Sequence, residues 1–211
     1  MPENTRLSSN IDQIDLEVIE REATPRFLME FSIQLHLAEL SFSNTVSVLE
    51  KFAVERTRST VHGWVHKADL QPETGHSSDN VAVEETVIRI DDEQYWLYAA
   101  VDPDSNELLY TKHEPTRTNA LAHAFSAELC EKHDVENAVF LVDGATPLKD
   151  ACSRHGLDFR YQKHGNRNSV ERVFREVKRR TSSFSNCFSH VDPDTADDWL
   201  RSFSFAWNQL I

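Results

Sequence analysis

Two adjacent glutamates, Glu84 and Glu85, sit in the middle of the apolar run VAVEETVIRI, residues 81–90. Burying an unpaired carboxylate is costly, so a core strand carries one only where something outside the core needs it. A further carboxylate, Asp143, ends the apolar stretch NAVFLVDG, with Gly144 after it so that the backbone can turn closely. The carboxyl edge of a sheet is where α/β folds build their sites. Glu171 opens a basic segment. At 100° per residue it shares a helix face with Arg175, at about 40°, and Lys178, at about −20°. Ion pairs such as Glu171 with Arg175 are ordinary on helix surfaces, so this face decides nothing by itself. Three carboxylates on two strands and one helix can, however, converge on one spot. Hard divalent cations take such oxygen ligands, and two ions about 3.5–4 Å apart clamp the attacking and leaving oxygens of a phosphodiester.

The charge distribution bears on the partner. The chain has 211 residues, with 22 basic against 35 acidic side chains and a formal net charge of −13, which by itself argues against nucleic acid. From His164 to Thr181, HGNRNSVERVFREVKRRT, six basic residues (Arg167, Arg172, Arg175, Lys178, Arg179, Arg180) face two acids, Glu171 and Glu176. That basic island suits phosphate contacts. Arginine outnumbers lysine 15 to 7, and acid excess with scarce lysine suggests a halophilic protein. At molar salt the Debye length falls to about 3 Å, so any DNA contact would be short-range. Cys130, Cys152 and Cys187 follow no CxxC spacing, which argues against a zinc ribbon or a disulfide framework. No targeting signal and no run of eighteen apolar residues is legible, so a cytoplasmic protein without a membrane partner is expected.

The elements that position these groups fall on two sides of QPETGHSSDN, a linker over 71–80. Residues 1–70 read as helical. Thr24 and Pro25 precede RFLMEFSIQLHLAEL, Ser43 can cap NTVSVLEKF, and Thr57 opens RSTVHGWVHKADL. In the last helix Val61, Trp64, Val65 and Ala68 share an apolar face, leaving Arg58, Ser59, His62 and Lys67 on other faces. Two short helices joined by a tight turn, the second basic outside, fit a helix-turn-helix that contacts DNA. His62 and His66 have a metal-compatible spacing but no third ligand. Residues 81–211 read as three meandering strands, then helix, strand, helix, strand and the basic helix, an α/β fold with a mixed sheet. In the basic helix Val170, Val173, Phe174 and Val177 form the stripe that must face the sheet. DTADDWLRSFSFAWNQLI closes the chain as an amphipathic helix.

The runs AVFLVDG, HGNRNSVERVFREVKRRTSSFSNCFSHVDPDTADDWL and YWLYAAVDPDSNELL, with VHGWVHKADLQP in the helical region, resemble the DDE transposases of the insertion-sequence six group, in a branch common among haloarchaea. The resemblance spans nearly the whole chain. It implies a ribonuclease-H-like mixed sheet flanked by helices, preceded by a small all-α helix-turn-helix region, and two Mg²⁺ or Mn²⁺ ions. It also implies binding of terminal inverted repeats, cleavage and joining of double-stranded DNA into a target, and a homodimer on paired ends. Carried over by motif, Asp143 and Glu171 are the second and third carboxylates and Lys178 the basic residue seven positions on. The resemblance thus implies Glu84, Asp143 and Glu171 as metal ligands. Arg58, Ser59, His62, Lys67, Arg167, Arg172, Arg175 and Arg179 are the candidate DNA contacts.

One position departs from the family. Where its motif reads Val-Asp-Glu-Thr, this chain reads Val83-Glu84-Glu85-Thr86. Glutamate keeps the charge but moves the carboxylate by about 1 Å, a misplacement that can cost about a hundredfold in rate. Asp102, at the end of the second strand, is a further candidate oxygen. The expected function is a transposase with the activity Glu84 allows. The alternative is a catalytically decayed DNA-binding relic or inhibitor of active relatives. A ribonuclease-H-like nuclease acting on structure alone would not need the helical N-terminal region.

Overall fold

The computed structural model describes residues 23–38, 40–68, 70–162, 165, 168–181, 188 and 191–210. It divides into two compact units, one ending at Gln71 and one beginning at Pro72.

The first unit packs α1 (Arg26–Leu37), α2 (Phe42–Glu50) and α3 (Arg58–Lys67) pairwise. Its core is Leu28, Met29, Ile33, Leu37, Leu49, Val61, Trp64, Val65 and Ala68, so the apolar face expected of α3 is the buried one. Thr57 caps α3 as expected, its Oγ1 accepting from Thr60 N at 3.2 Å. Two other caps differ. Helix α2 is capped by Ser41, whose hydroxyl accepts from Asn44 N, two residues ahead of Ser43. The Thr24 hydroxyl accepts from Arg56 Nε at 2.7 Å, and Thr24 does not cap α1. Residues 51–57 separate α2 from α3, longer than the turn of about three or four residues usual in a helix-turn-helix.

The second unit is built on a five-stranded sheet of order β3-β2-β1-β4-β5. Its strands are β1 (Asn80–Ile90), β2 (Glu93–Val101), β3 (Leu108–Glu114), β4 (Val139–Val142) and β5 (Phe159–Tyr161). β1, β2 and β3 form an antiparallel meander, while β4 and β5 run parallel to β1. Asp91 and Asp92 both have positive φ, 47° and 65°, the conformation a two-residue hairpin needs to match strand twist. Helices α4 (Asn119–Lys132) and α5 (Thr146–His155) make the crossovers. They bury Phe125, Leu129 and Leu148 against Val81, Val83, Tyr98, Phe140 and Val142. The opposite face, Ala82, Ile88, Leu97, Ala99 and Leu141, is covered by α6 (Asn168–Thr181) and α7 (Pro193–Leu210). This is the ribonuclease-H-like mixed sheet flanked by helices. The second half of 71–80 is part of the unit: Gly75 N donates to Lys132 O at 2.7 Å and Val139 N to Asp79 O at 2.9 Å. Among the described residues no helix is long and apolar enough to cross a membrane.

Candidate active site

β1 and β4 set the geometry. Their parallel ladder ends on the pair Val83–Val142, so Glu84 and Asp143 are the residues that follow the last paired rung on each side. Asp143 Oδ1 accepts from Ala145 N at 2.7 Å, an Asx turn that swings the chain off the sheet beside Gly144. Side chains alternate along β1. Glu84 therefore belongs with Ala82 on the face of α6, and Glu85 with Val83 on the face of α4 and α5.

The two glutamates have different surroundings. Glu85 is 4% exposed and ion-paired with Arg117, whose guanidinium lies over the Trp96 ring, 5.0 Å from its centroid. Burial raises the Glu85 carboxyl above its ordinary range. Arg117 opposes that shift, and the charges of Asp143 and Glu84 add to it. The same carboxylate helps burial push the Tyr98 hydroxyl up to about 12. Glu84 is half-buried, with its Oε2 inside.

Helix α6 is positioned at both ends. Lys178 Nζ donates to Thr86 Oγ1 at 2.6 Å, and Arg172 donates to Asn106 Oδ1 in the β2–β3 turn. That turn lies where β1 begins, since Ala82 pairs with Val101, so α6 runs in the direction of β1. From Lys178 back to Glu171 a helix covers about 10.5 Å, as far as about three residues of strand. Glu171, half-buried in the first turn, thus lies about two turns before Lys178 on the helix that covers the face of Glu84. The apolar stripe expected of this helix, Val170, Val173, Phe174 and Val177, is buried on the sheet.

The donors brought to this edge are all carboxylate oxygens, which suits a hard divalent cation. Among the described residues, no three His, Cys, Asp or Glu side chains already stand as a group that could hold a metal ion. Glu84 and Asp143 follow the last paired rung of β1 and β4, and Glu171 lies in the first turn of the helix that covers that face of the sheet. Asp102 is no part of this edge. It is 6% exposed and accepts from His76, Ser78 and the Asp104 and Ser105 amides, which hold its carboxyl below the usual range although burial opposes them. It is a turn residue.

The basic residues divide. Arg172, Arg175, Lys178 and Arg179 are exposed on α6. Arg179 is committed to Glu176, with nitrogens 2.9 and 2.7 Å from its oxygens, and Arg180 Nε donates to the same carboxylate at 2.9 Å. These bonds draw the Glu176 carboxyl down to about 2. Arg167 lies outside the described residues, as does Cys187. In α3, Arg58, Ser59, His62 and Lys67 are exposed; Ser59 Oγ is 2.8 Å from Thr57 Oγ1 in the cap, and the His62 ring sits edge-on to Phe42, 5.5 Å away.

Sequence reasoning passed over three residues here. Thr86 was legible, being two positions past Glu84 and so on the same face. Arg117 and Asn106 were not, because each meets its partner across the sheet with no local signal.

No family model matches the chain. It is similar to an uncharacterized protein of Methanocaldococcus jannaschii, 27% identical over 206 residues that cover 94% of this chain and 95% of that protein. Among solved structures it is similar to a chain of the simian T-cell lymphotropic virus intasome in complex with PP2A regulatory subunit B56 gamma. That match has 14% identity and a TM-score of 0.41, covering 83% of this chain and 66% of that one. The integrase catalytic core domain of HTLV-2 in complex with magnesium matches at 9% identity and a TM-score of 0.39, covering 63% and 85%. The large terminase nuclease of thermophilic phage G20c with bound cobalt matches at 11% identity and a TM-score of 0.28, covering 67% and 94%. The ribonuclease-H-like fold of this chain stands on its own strand order, direction and register.

Proposed function

We propose that the chain is a DDE-type transposase of the insertion-sequence six group, haloarchaeal branch. It binds the terminal inverted repeats of its element as a homodimer in the cytoplasm and transfers DNA strands to a target. The observation that supports this reading is the register of β1 and β4, whose last pair, Val83–Val142, is followed by Glu84 on one strand and Asp143 on the other. Glu84, Asp143 and Glu171 would hold two Mg²⁺ or Mn²⁺ ions, which supply Lewis acidity at phosphorus and an activated oxygen nucleophile. Lys178, fixed by Thr86, and Arg175 beside it bind and orient the phosphate. Arg172 extends the contact along the strand, and α3 reads the repeat with Arg58, His62 and Lys67.

A second reading has one observation in its favour, the glutamate at position 84: a DNA-binding relic or inhibitor that occupies the repeats without joining them. Joining of a labelled repeat end with Mn²⁺ at high salt separates the two. We expect slow joining by the natural sequence and a gain of up to about a hundredfold in Glu84→Asp, the scale set by a 1 Å correction. Asp143→Asn should join nothing. If Glu84→Asp binds the repeat and joins no faster than the natural sequence, the geometric argument fails.

A further inference from the structure

Tyr161 is 61% exposed, an unusual place for a large aromatic ring at the end of a strand. It pairs in register with Val142, the residue before Asp143, and Gln162 N donates to Val142 O at 3.1 Å, so the end of β5 is tied to the end of β4. The ring lies against the Asp143–Gly144 turn: its Cε2 is 3.8 Å from the place a Cβ on Gly144 would take. Lys149 Nζ stands 5.3 Å from the ring centroid. Phe159, two residues earlier on the same face of the strand, is 38% exposed. An exposed ring on the α4–α5 side of the sheet end, with a cation over it and the Asp143–Gly144 turn against its edge, fits one kind of occupant. A base inside a duplex is already stacked on its neighbours, so only an unpaired base can use such a face, and aromatic faces serve unpaired bases in single-strand binding.

We infer that Tyr161 is a stacking platform for an unpaired nucleobase of the DNA strand whose phosphate is held beside Asp143, with Lys149 contacting the backbone next to that base. The inference rests on the strand-transfer reading above and adds that the DNA end is frayed when it is bound.

The test uses the full chain in Ca²⁺, with two probes of common sequence: a blunt duplex, and the same duplex with an unpaired 3′ tail carrying 2-aminopurine at its first unpaired position. The natural sequence should quench the 2-aminopurine, as Tyr161→Phe should by keeping the ring face. Tyr161→Ala should lose the quenching and roughly tenfold in affinity for the tailed duplex, within the range measured for one base stack, while its affinity for the blunt duplex changes by less than about twofold. Tyr161→Ala that quenches and binds the tailed duplex like the natural sequence overturns the inference, and so does an equal loss on both probes. If the natural sequence joins repeat ends while either of these holds, the inference alone falls. If it binds neither probe, the strand-transfer reading falls with it.

Discussion

Glu84 and Glu85 are neighbours in sequence and opposites in the sheet. One carboxylate belongs to the α6 face, one step past the last β1–β4 pair; the other is buried and held by Arg117. Removing that cation leaves a buried charge with no counterion, and breaking such a pair costs about 3–5 kcal/mol. Arg117 is itself about one-third exposed, so Arg117→Ala should destabilise by about 3 kcal/mol in chemical denaturation at neutral pH. The pH dependence follows from the direction of the Glu85 shift. A raised carboxyl keeps its proton in the native state at pH values where the unfolded chain has released it. The charging penalty is therefore present above the raised value and vanishes below the ordinary one, about pH 4.3. The Arg117→Ala defect should shrink as pH falls toward about 4.5, and an equal defect at both pH values would mean that the lost stability was packing of Arg117 on Trp96.

At the scale of the helix, α6 carries a basic island that is partly neutralised from within. Glu176 takes both Arg179 and Arg180. Its carboxyl titrates at about 2, so this pairing contributes stability above about pH 4.5 and loses it only as pH falls toward 2; ordinary pH changes do not release the arginines. Substitution does. Glu176→Gln should bind duplex DNA more tightly, with log affinity falling more steeply against log salt by about 1 to 2, the increment for one or two more phosphate contacts. An unchanged slope would show that Arg179 and Arg180 never reach DNA. The apolar stripe of α6 was legible from a period of 3.6, because burial on a sheet selects one helical face whatever the partner. The Glu176 pairing was only half legible, since i+3 and i+4 spacings bring Arg179 and Arg180 within reach but do not say that both will choose one carboxylate. Helix starts were the least legible: Ser41 and Ser43 offer the same hydroxyl, and the choice between them depends on how α2 packs on α1 and α3.

For the whole molecule, the alternation of strand and helix signals was enough to give the mixed sheet and its two helical layers. The site was legible only as a set of residue types. That Glu84 and Asp143 follow one paired rung depends on β1 pairing with β4 across a hairpin, a third strand and a helix, and no local pattern specifies that register. The net charge of −13 acts on the same scale. Self-repulsion opposes the compact state, and salt at molar strength shortens its reach to about 3 Å. Raising KCl from low to molar concentration should stabilise the fold by about 1 kcal/mol or more, a rise of roughly 2–4 °C in Tm; a flat or falling Tm would remove the halophilic reading of the composition. The double attachment of α6, at Thr86 and at Asn106, has a consequence for how this sequence can vary. Because two uncharged side chains, Thr86 and Asn106, tether the basic helix to β1 and to the β2–β3 turn, the hydrogen-bonding capacity of those two positions limits what each can be exchanged for.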